Sequence, residues 1–497
     1  MTRTSLACFA ALTITLSSVP QAATTHELWI RHVTVVSPER SAPLRDATVV
    51  VRDDRIVAIN APATAQAPDT HARVIEGKGL FLSPGLIDSH VHTNEVSGFG
   101  GSKPTEERFP EVVRALREQM PRSYLYFGFT TLIDLISTPQ HLREWNAAPV
   151  HPDLYFCGAT PIPGGYPPTY RTKEEQVRTY PYMVEAGKAP AEVVKQMRGD
   201  GALCVKAFYE RGFLETDVWP VPKLETIQAV VTAAHEAHMP VLIHANSTDG
   251  QEFALNAGVD IIAHGLWHWN GEPDATELTP RVKRVLDRVL QANVGWQATM
   301  RVLAGDRDVF NPDFLSDPHL AAVVPPVALA WYRSDDGQWY RNADAPAYLP
   351  KAVLDSGDRS KAWEAIRSPA AHLIGPAIER GKSAARYMSA HHARFLFGSD
   401  TPGSPSYANQ PGLNGWLEMH LLLQAGLTPA EIVRAATLSN AEALGLANEI
   451  GTVQPGKRAN LLLTRQDPTR SIEAYDGIVK IILGGRVLER EEVAAHL

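Results

Sequence analysis

The stretch FLSPGLIDSHVH, residues 81–92, is an apolar run that ends in two histidines separated by one residue. Alternate side chains of a half-buried strand share a face, so His90 and His92 project together. Two neutral imidazoles on one wall make half of a site for zinc or a similar borderline metal. Further along, other short apolar runs each end in a potential ligand: VKAF with Lys206, VLIH with His244, IIAH with His264 and FLFGSD with Asp400.

This recurrence has a geometric reading. In a (β/α)8 barrel the C-terminal ends of the strands converge on one face, where ligands distant in sequence meet. Eight candidate strands lie near 85–92, 129–134, 153–159, 203–208, 240–245, 260–264, 294–299 and 394–400. Helix-patterned segments such as Glu106 to Tyr126, Ala191 to Arg198 and Leu224 to Ala237 fall between them. Alternating strand and helix predict an α/β fold with a parallel sheet, here a TIM barrel over residues 81–444. The short strand patterns at 24–80 and 445–497 cannot bury their own faces alone, and are expected to form one small composite β-sandwich beside it.

The motifs PGLIDSHVH, GFTTLIDL, VKAF, LIHA, IAHG, LFGSD and IGTVQPGKRANLLL, in this order, resemble the metal-dependent amidohydrolase superfamily. The resemblance runs from about residue 25 to the C-terminus. It points to the binuclear subtype with a carboxylated lysine, in the imidazolonepropionase-like and Xaa-Pro dipeptidase-like branch. Where that branch often has a glycine-rich turn after the lysine, this chain has Ala207-Phe208-Tyr209-Glu210-Arg211.

The resemblance implies that His90, His92 and Asp400 bind the more buried of two divalent ions, with zinc the expected metal. His244 and His264 would bind the more exposed ion, and carboxylated Lys206 would bridge the pair. On independent grounds an unpaired ammonium inside LCVKAF is costly, which leaves an acidic partner, a lowered pKa or chemical modification, and reaction with carbon dioxide would convert the amine to an anionic carbamate. Two ions sharing one water lower its pKa, and Asp400 can serve as general base and then general acid.

Other candidates are less specific. Tyr209 and Arg211 follow the lysine strand and are positioned to meet a carboxylate or an oxyanion. His268, between Trp267 and Trp269, is a candidate hydrogen-bond donor to a tetrahedral intermediate. Tyr166, Tyr170 and Arg171 lie in the loop after the third strand. His235 and His238 are three apart, whereas the helical metalloprotease motif needs four. Gly375 to Ser383 has the wrong glycine spacing for a phosphate loop, and the adjacent His391 and His392 point in different directions.

The expected reaction is therefore hydrolysis of a C–N bond in a dipeptide, an N-acyl amino acid or a cyclic amide. A lactonase on the same site, or a barrel that has lost its chemistry, are the alternatives. The net charge of −8, with mixed signs throughout, offers no basic patch for nucleic acid. Arg3, the apolar stretch LACFAALTITLSSV and Ala22-Ala23 read as a signal peptide over 1–23, hence a periplasmic or secreted protein with no further membrane segment, with an uncleaved anchor as the alternative because Pro20 and Gln21 suit the cleavage zone poorly. Association into a homo-oligomer is left open.

Cys157 and Cys204 lie inside apolar runs and are expected as buried thiols, with a disulfide as the alternative. About 95 residues separate the last two candidate strands. This stretch, near 300–393, is rich in tryptophan and tyrosine and reads as a helical lid, or else as a flank insertion.

Overall fold

The computed structural model describes residues 27–60, 72–99, 103–213, 218–272, 275–368 and 371–495. The expected signal segment, 1–23, lies outside the described residues. The chain opens with β1 (Glu27–Val35), β2 (Leu44–Arg52), β3 (Arg55–Asn60), β4 (Arg73–Glu76) and β5 (Phe81–Pro84). It continues through β6 (Leu86–Val91), β7 (Phe129–Asp134), β8 (Asp153–Ala159), β9 (Cys204–Phe208), β10 (Val241–His244), β11 (Ile261–Ala263) and β12 (Gly295–Trp296). It closes with β13 (Leu461–Thr464), β14 (Ile478–Leu483) and β15 (Arg486–Glu489).

Strands β6 to β12 form one parallel sheet in chain order. Strands of such a sheet are covered on both faces, which is why they read as unbroken apolar runs. Ile87, Ile133, Cys157, Cys204, Leu242, Ile261 and Leu396 share one buried cluster, stoppered by Leu444, Leu446 and Ile450. The opposite parity, including Leu132, Val205, Val241 and Ile243, packs in a second cluster with Val230 and Val282 of the surrounding helices. Period-2 alternation thus separates an inner from an outer layer.

Residues 394–400, expected as an eighth strand, do not form a regular one. They run between the two edges of the sheet: Leu396 N donates to Trp296 O at 3.0 Å, and Asp400 N donates to His90 O at 2.8 Å. Asp400 takes a φ of +56°, outside the extended region, and this interrupts a regular ladder. The seven strands and this irregular segment together link edge to edge.

The two chain ends meet in one eight-stranded mixed sheet, ordered β15-β14-β13-β5-β1-β2-β3 with β4 against β1. One small composite β-sandwich was expected from the two chain ends, and the described residues join both ends in one continuous sheet. The reason is the antiparallel pairing of β13 with β5, from Leu461 opposite Pro84 to Thr464 opposite Phe81, which makes the two halves continuous. Ile30, Val33, Val49, Val51, Leu461 and Leu463 form its own core.

The 300–393 excursion is helical, as expected. Its helix Pro326–Arg333 packs on Pro110–Tyr126, and Trp331 stacks on Phe99 at 4.3 Å between ring centroids. Trp339 Nε1 donates to Gly98 O at 2.7 Å, so the excursion grips the loop that follows His92. Among the described residues, no helix is long and apolar enough to cross a membrane.

Cys157 and Cys204 are not free thiols: they form a disulfide between β8 and β9. The parallel register sets them directly opposite each other with Cα atoms 4.4 Å apart, which their sequence positions alone do not reveal. A bond closing a loop of 47 residues contributes about 4 kcal/mol by chain entropy. In denaturant without reductant, the peptides carrying these two cysteines should resist alkylation and become labelled only after reduction. Labelling of both beforehand, read by peptide mass mapping, would contradict the bond.

Candidate metal centre

His90 and His92 leave β6 on the same side, past a register irregularity between Asp88 and Val91. Opposite them the chain needs Gly398, because a Cβ there would lie 2.6 Å from His90 Cβ. This close approach brings Asp400 into reach. Its Oδ1 lies 2.9 Å from His92 Nε2 and 3.3 Å from His90 Nε2, and its Oδ2 lies 3.6 Å from His264 Nδ1. One ligand atom from each of His90, His92 and Asp400 falls within 4.8 Å of the others, a grouping able to hold a metal ion.

The electrostatics favour ligand states at Asp400, His90, His244 and His264. Burial alone would raise the Asp400 carboxyl, but His90, His92 and His264 together hold it well below the usual carboxylate range. Burial, reinforced by Lys206, pushes His90 well below its ordinary value, and burial with His244 does the same to His264. Burial also lowers His244. Burial opposes charge on His92 too, yet the hydrogen bond and charge of Asp400 outweigh it and raise its pKa. Neutral imidazole nitrogens around one carboxylate are the donor set of a zinc-like cation, and the residues fit such an ion.

Gln297 orients the first of these ligands. His90 Nδ1 lies 3.0 Å from Gln297 Oε1, and Gln297 Nε2 donates to Ser89 Oγ at 2.7 Å. The Gln297 amide so oriented makes Nδ1 the protonated nitrogen and leaves Nε2 facing Asp400.

A second set of groups continues from the first. Ring centroids of His90 and His264 are 4.9 Å apart, and those of His264 and His244 are 4.2 Å apart. His264 adopts a φ of +79°, a strained backbone for a residue with a side chain, of the kind that persists at functional sites. Lys206 is only 1% exposed, and its Nζ has no hydrogen-bond partner among the described residues. Burial lowers it to about 7, with the charge of Asp400 opposing the shift.

Glu210 completes this half and was not anticipated. Its Oε2 accepts from His244 Nε2 at 3.0 Å and from Asn246 Nδ2 at 2.7 Å, while Gly212 N donates to Oε1 at 2.9 Å. Tyr209, which the sequence reading favoured, is not brought to the centre. It packs on Phe253 at 4.7 Å, in the cluster shared with the outer helices. Period 2 explains both results: Lys206, Phe208 and Glu210 share one parity and Tyr209 the other.

Of the remaining candidates, Trp267 lies 5.1 Å from the His264 ring and packs with Val302 and Ala377 of the helical excursion. His268 N donates to Asn246 O at 3.1 Å, and Asn246 Nδ2 in turn donates to Glu210 Oε2 at 2.7 Å. Trp269 is buried and donates to Leu266 O. Tyr166 lies 4.7 Å from the His244 ring, whereas Arg171 is ion-paired with Glu95 at 2.7 Å and Arg211 is exposed. The rejected motifs stay away: His235 pairs with Asp260 at the surface, His391 stacks on Tyr387, and Gly375 to Ser383 lies within the helix Ile374–Ala390.

A model of the amidohydrolase family matches residues 81–268 and 364–488, more than half of the chain. The chain belongs to the amidohydrolase family. The gap in the match, 269–363, covers most of the helical excursion, so this amidohydrolase departs from the family model there. Imidazolonepropionase of Geobacillus kaustophilus (strain HTA426) is 25% identical over 233 residues, 44% of this chain and 52% of that protein. The same enzyme of Geobacillus thermodenitrificans (strain NG80-2) is 25% identical over 198 residues, covering 37% and 45%. The chain thus spans about half the length of the curated relatives it matches. A Xaa-Pro dipeptidase with bound methionine shares the fold at TM-score 0.63 and 20% identity, over 93% of this chain and 100% of that one. So does A. niger ochratoxinase, at TM-score 0.66 and 16% identity, over 94% and 96%. The solved structures show a shared fold, and the imidazolonepropionases a partial likeness in sequence.

Replacing Gln297 with Leu leaves every expected ligand in place but deprives His90 Nδ1–H of its acceptor. Affinity for zinc, measured by chelator competition, should weaken about 10–100-fold. An unchanged affinity would remove Gln297 from the metal centre.

Proposed function

We propose that this amidohydrolase is an exported binuclear metal-dependent enzyme that hydrolyses an amide or peptide C–N bond in a small substrate: a dipeptide, an N-acyl amino acid or a cyclic amide. Its architecture is read as a (β/α)8 barrel whose eighth position is the 394–400 segment, beside a small sandwich-like domain from both chain ends. The observation that carries the reading is the Lys206 amine, buried without a hydrogen-bond partner among His90, His92, His244, His264 and Asp400. An ammonium there is costly, and a neutral amine is the form that adds carbon dioxide, giving a carbamate and releasing one proton. The carbamate offers two anionic oxygens where the amine offered none.

His90, His92 and Asp400 would hold one divalent cation and His244 and His264 a second, with carboxylated Lys206 between them and zinc as the expected metal. Such a pair, when bound, lowers the pKa of water and polarises the scissile carbonyl. The remaining work falls to the side chains. Asp400 takes a proton from the attacking water and returns it to the departing nitrogen, as base and then acid. Glu210 fixes the ring of His244 through its Nε2, leaving Nδ1 for a cation. His268, near Glu210, is the donor to the developing oxyanion in this scheme. The N-terminal pattern of Arg3, an apolar core and Ala22-Ala23 supports export, and a Cys157–Cys204 bond suits an oxidising compartment.

A panel of dipeptides, N-acyl amino acids, cyclic amides and lactones, offered to zinc- and bicarbonate-loaded protein, tests the reading. Turnover of C–N substrates is expected, and turnover confined to lactones would replace it with an ester hydrolase. Asp400→Asn should lower kcat about 10²–10⁴-fold while elemental analysis still finds much of the metal. Full activity in that variant would refute the proton-transfer role. Glu210→Gln should weaken zinc affinity or activity about 10–100-fold, and no effect on either would free His244 from its dependence on Glu210.

A further inference from the structure

On the His244 side of the centre stands a cluster of aromatic rings that the chemistry above leaves unused. Ring centroids of Tyr166, Phe213 and Phe208 lie 4.7, 6.2 and 6.4 Å from that of His244. Trp219 is nearly parallel to Tyr166, 5.9 Å away with 12° between planes. Tyr170 and Phe213 meet Trp219 edge-on at 5.5 and 5.7 Å. The rings come from the chain that follows β8 and the end of β9 with the chain beyond it, on the side where the strands deliver their ligands.

Exposure rises steadily along this row. Phe208 is 4% exposed, Tyr166, Phe213 and Trp219 are half-buried, and Tyr170 and Val218 are 64% and 71% exposed. A purely architectural cluster would bury its outermost rings. Apolar surface that leads from solvent to a buried polar centre has the anatomy of a small-molecule subsite.

The charges around it argue against a carboxylate as its occupant. Arg171 is committed to Glu95 at 2.7 Å. Glu210 is negative, and its oxygens are already engaged by His244, Asn246 and Gly212. Tyr166 and Trp219 already stack on each other, so an aromatic group entering this row would meet further rings, for which offset and edge-on contacts are favourable.

We propose that Tyr166, Phe213 and Trp219 form a specificity subsite that takes an aromatic group of the substrate beside the scissile amide. The inference rests on the hydrolase reading and names the substrate class within it: amides carrying an aromatic acyl or side-chain group next to the C–N bond.

The test uses the zinc- and bicarbonate-loaded protein in two arms. The first is calorimetric binding to the Asp400→Asn variant of two matched pairs: N-phenylacetylglycine against N-acetylglycine, and Ala-Phe against Ala-Ala. In at least one pair the aromatic member should bind about tenfold or more tightly. Adding Trp219→Ala should collapse that ratio toward one, and Trp219→Phe should restore most of it. The second arm compares kcat/KM for the same pairs in the wild-type background, where the same ratio should appear chiefly in KM. Equal binding within both pairs, or a ratio untouched by Trp219→Ala, overturns the subsite whatever the catalytic result. Aromatic-selective binding without turnover of any amide would instead keep the subsite and sink the hydrolase reading.

Discussion

The carboxylate of Asp400, set between His90, His92 and His264, is the contact on which the rest of the structure turns. It is also an event of the backbone. The segment that brings it forward bonds to β12 through Leu396 and to β6 through Asp400 N. Joining the edges of the sheet and gathering the ligands are therefore one act. His90, His244, His264 and Asp400 are buried and His92 partly so, a gathering of polar groups that is costly in an interior unless each is satisfied. The strained φ values of His264 and Asp400 belong to the same arrangement, since strain of this kind survives only where surrounding packing dictates it.

Lys206 obeys the same economy. The inner layer beneath it is apolar, formed by Cys157, Cys204, Leu242 and Ile261, so the amine cannot find an acid from below. Its setting is defined by what lies above: His90, His244, His264 and Asp400, each of which feels its charge or acts on it. An amidohydrolase with carboxylated lysine would resolve this tension by chemistry rather than by an ion pair.

Much of this was legible in the sequence because parity and apolar character are local properties. The seven regular strands fall where short β-branched runs stand, and all six proposed ligands lie within or just beyond such runs or the eighth, irregular one. Tyr209 was misjudged for the opposite reason. It was chosen by nearness to Lys206, while its parity already assigned it to the outer layer and assigned Glu210 to the inner one. The disulfide was hidden because cross-strand register is a property of pairing, which neither Cys157 nor Cys204 carries alone. Gln297 was equally hidden, since its value depends on meeting His90 across the ring. The irregular strand at 394–400 was written in Gly398 and Asp400, but an apolar run ahead of them masked it. The two chain ends join in one sheet because β13 takes β5 as neighbour, a pairing between segments almost four hundred residues apart.

The cystine has a geometric corollary. β8 and β9 are the two staves whose ends precede Tyr166 and Phe213 in the chain, and the sulfur link fastens them one layer below Lys206. Neither stave can slide along the other without straining a covalent tie. The span between the amine and the aromatic rings is thus set from underneath, so the distance a bound molecule must bridge is dictated by the scaffold rather than by the loops themselves.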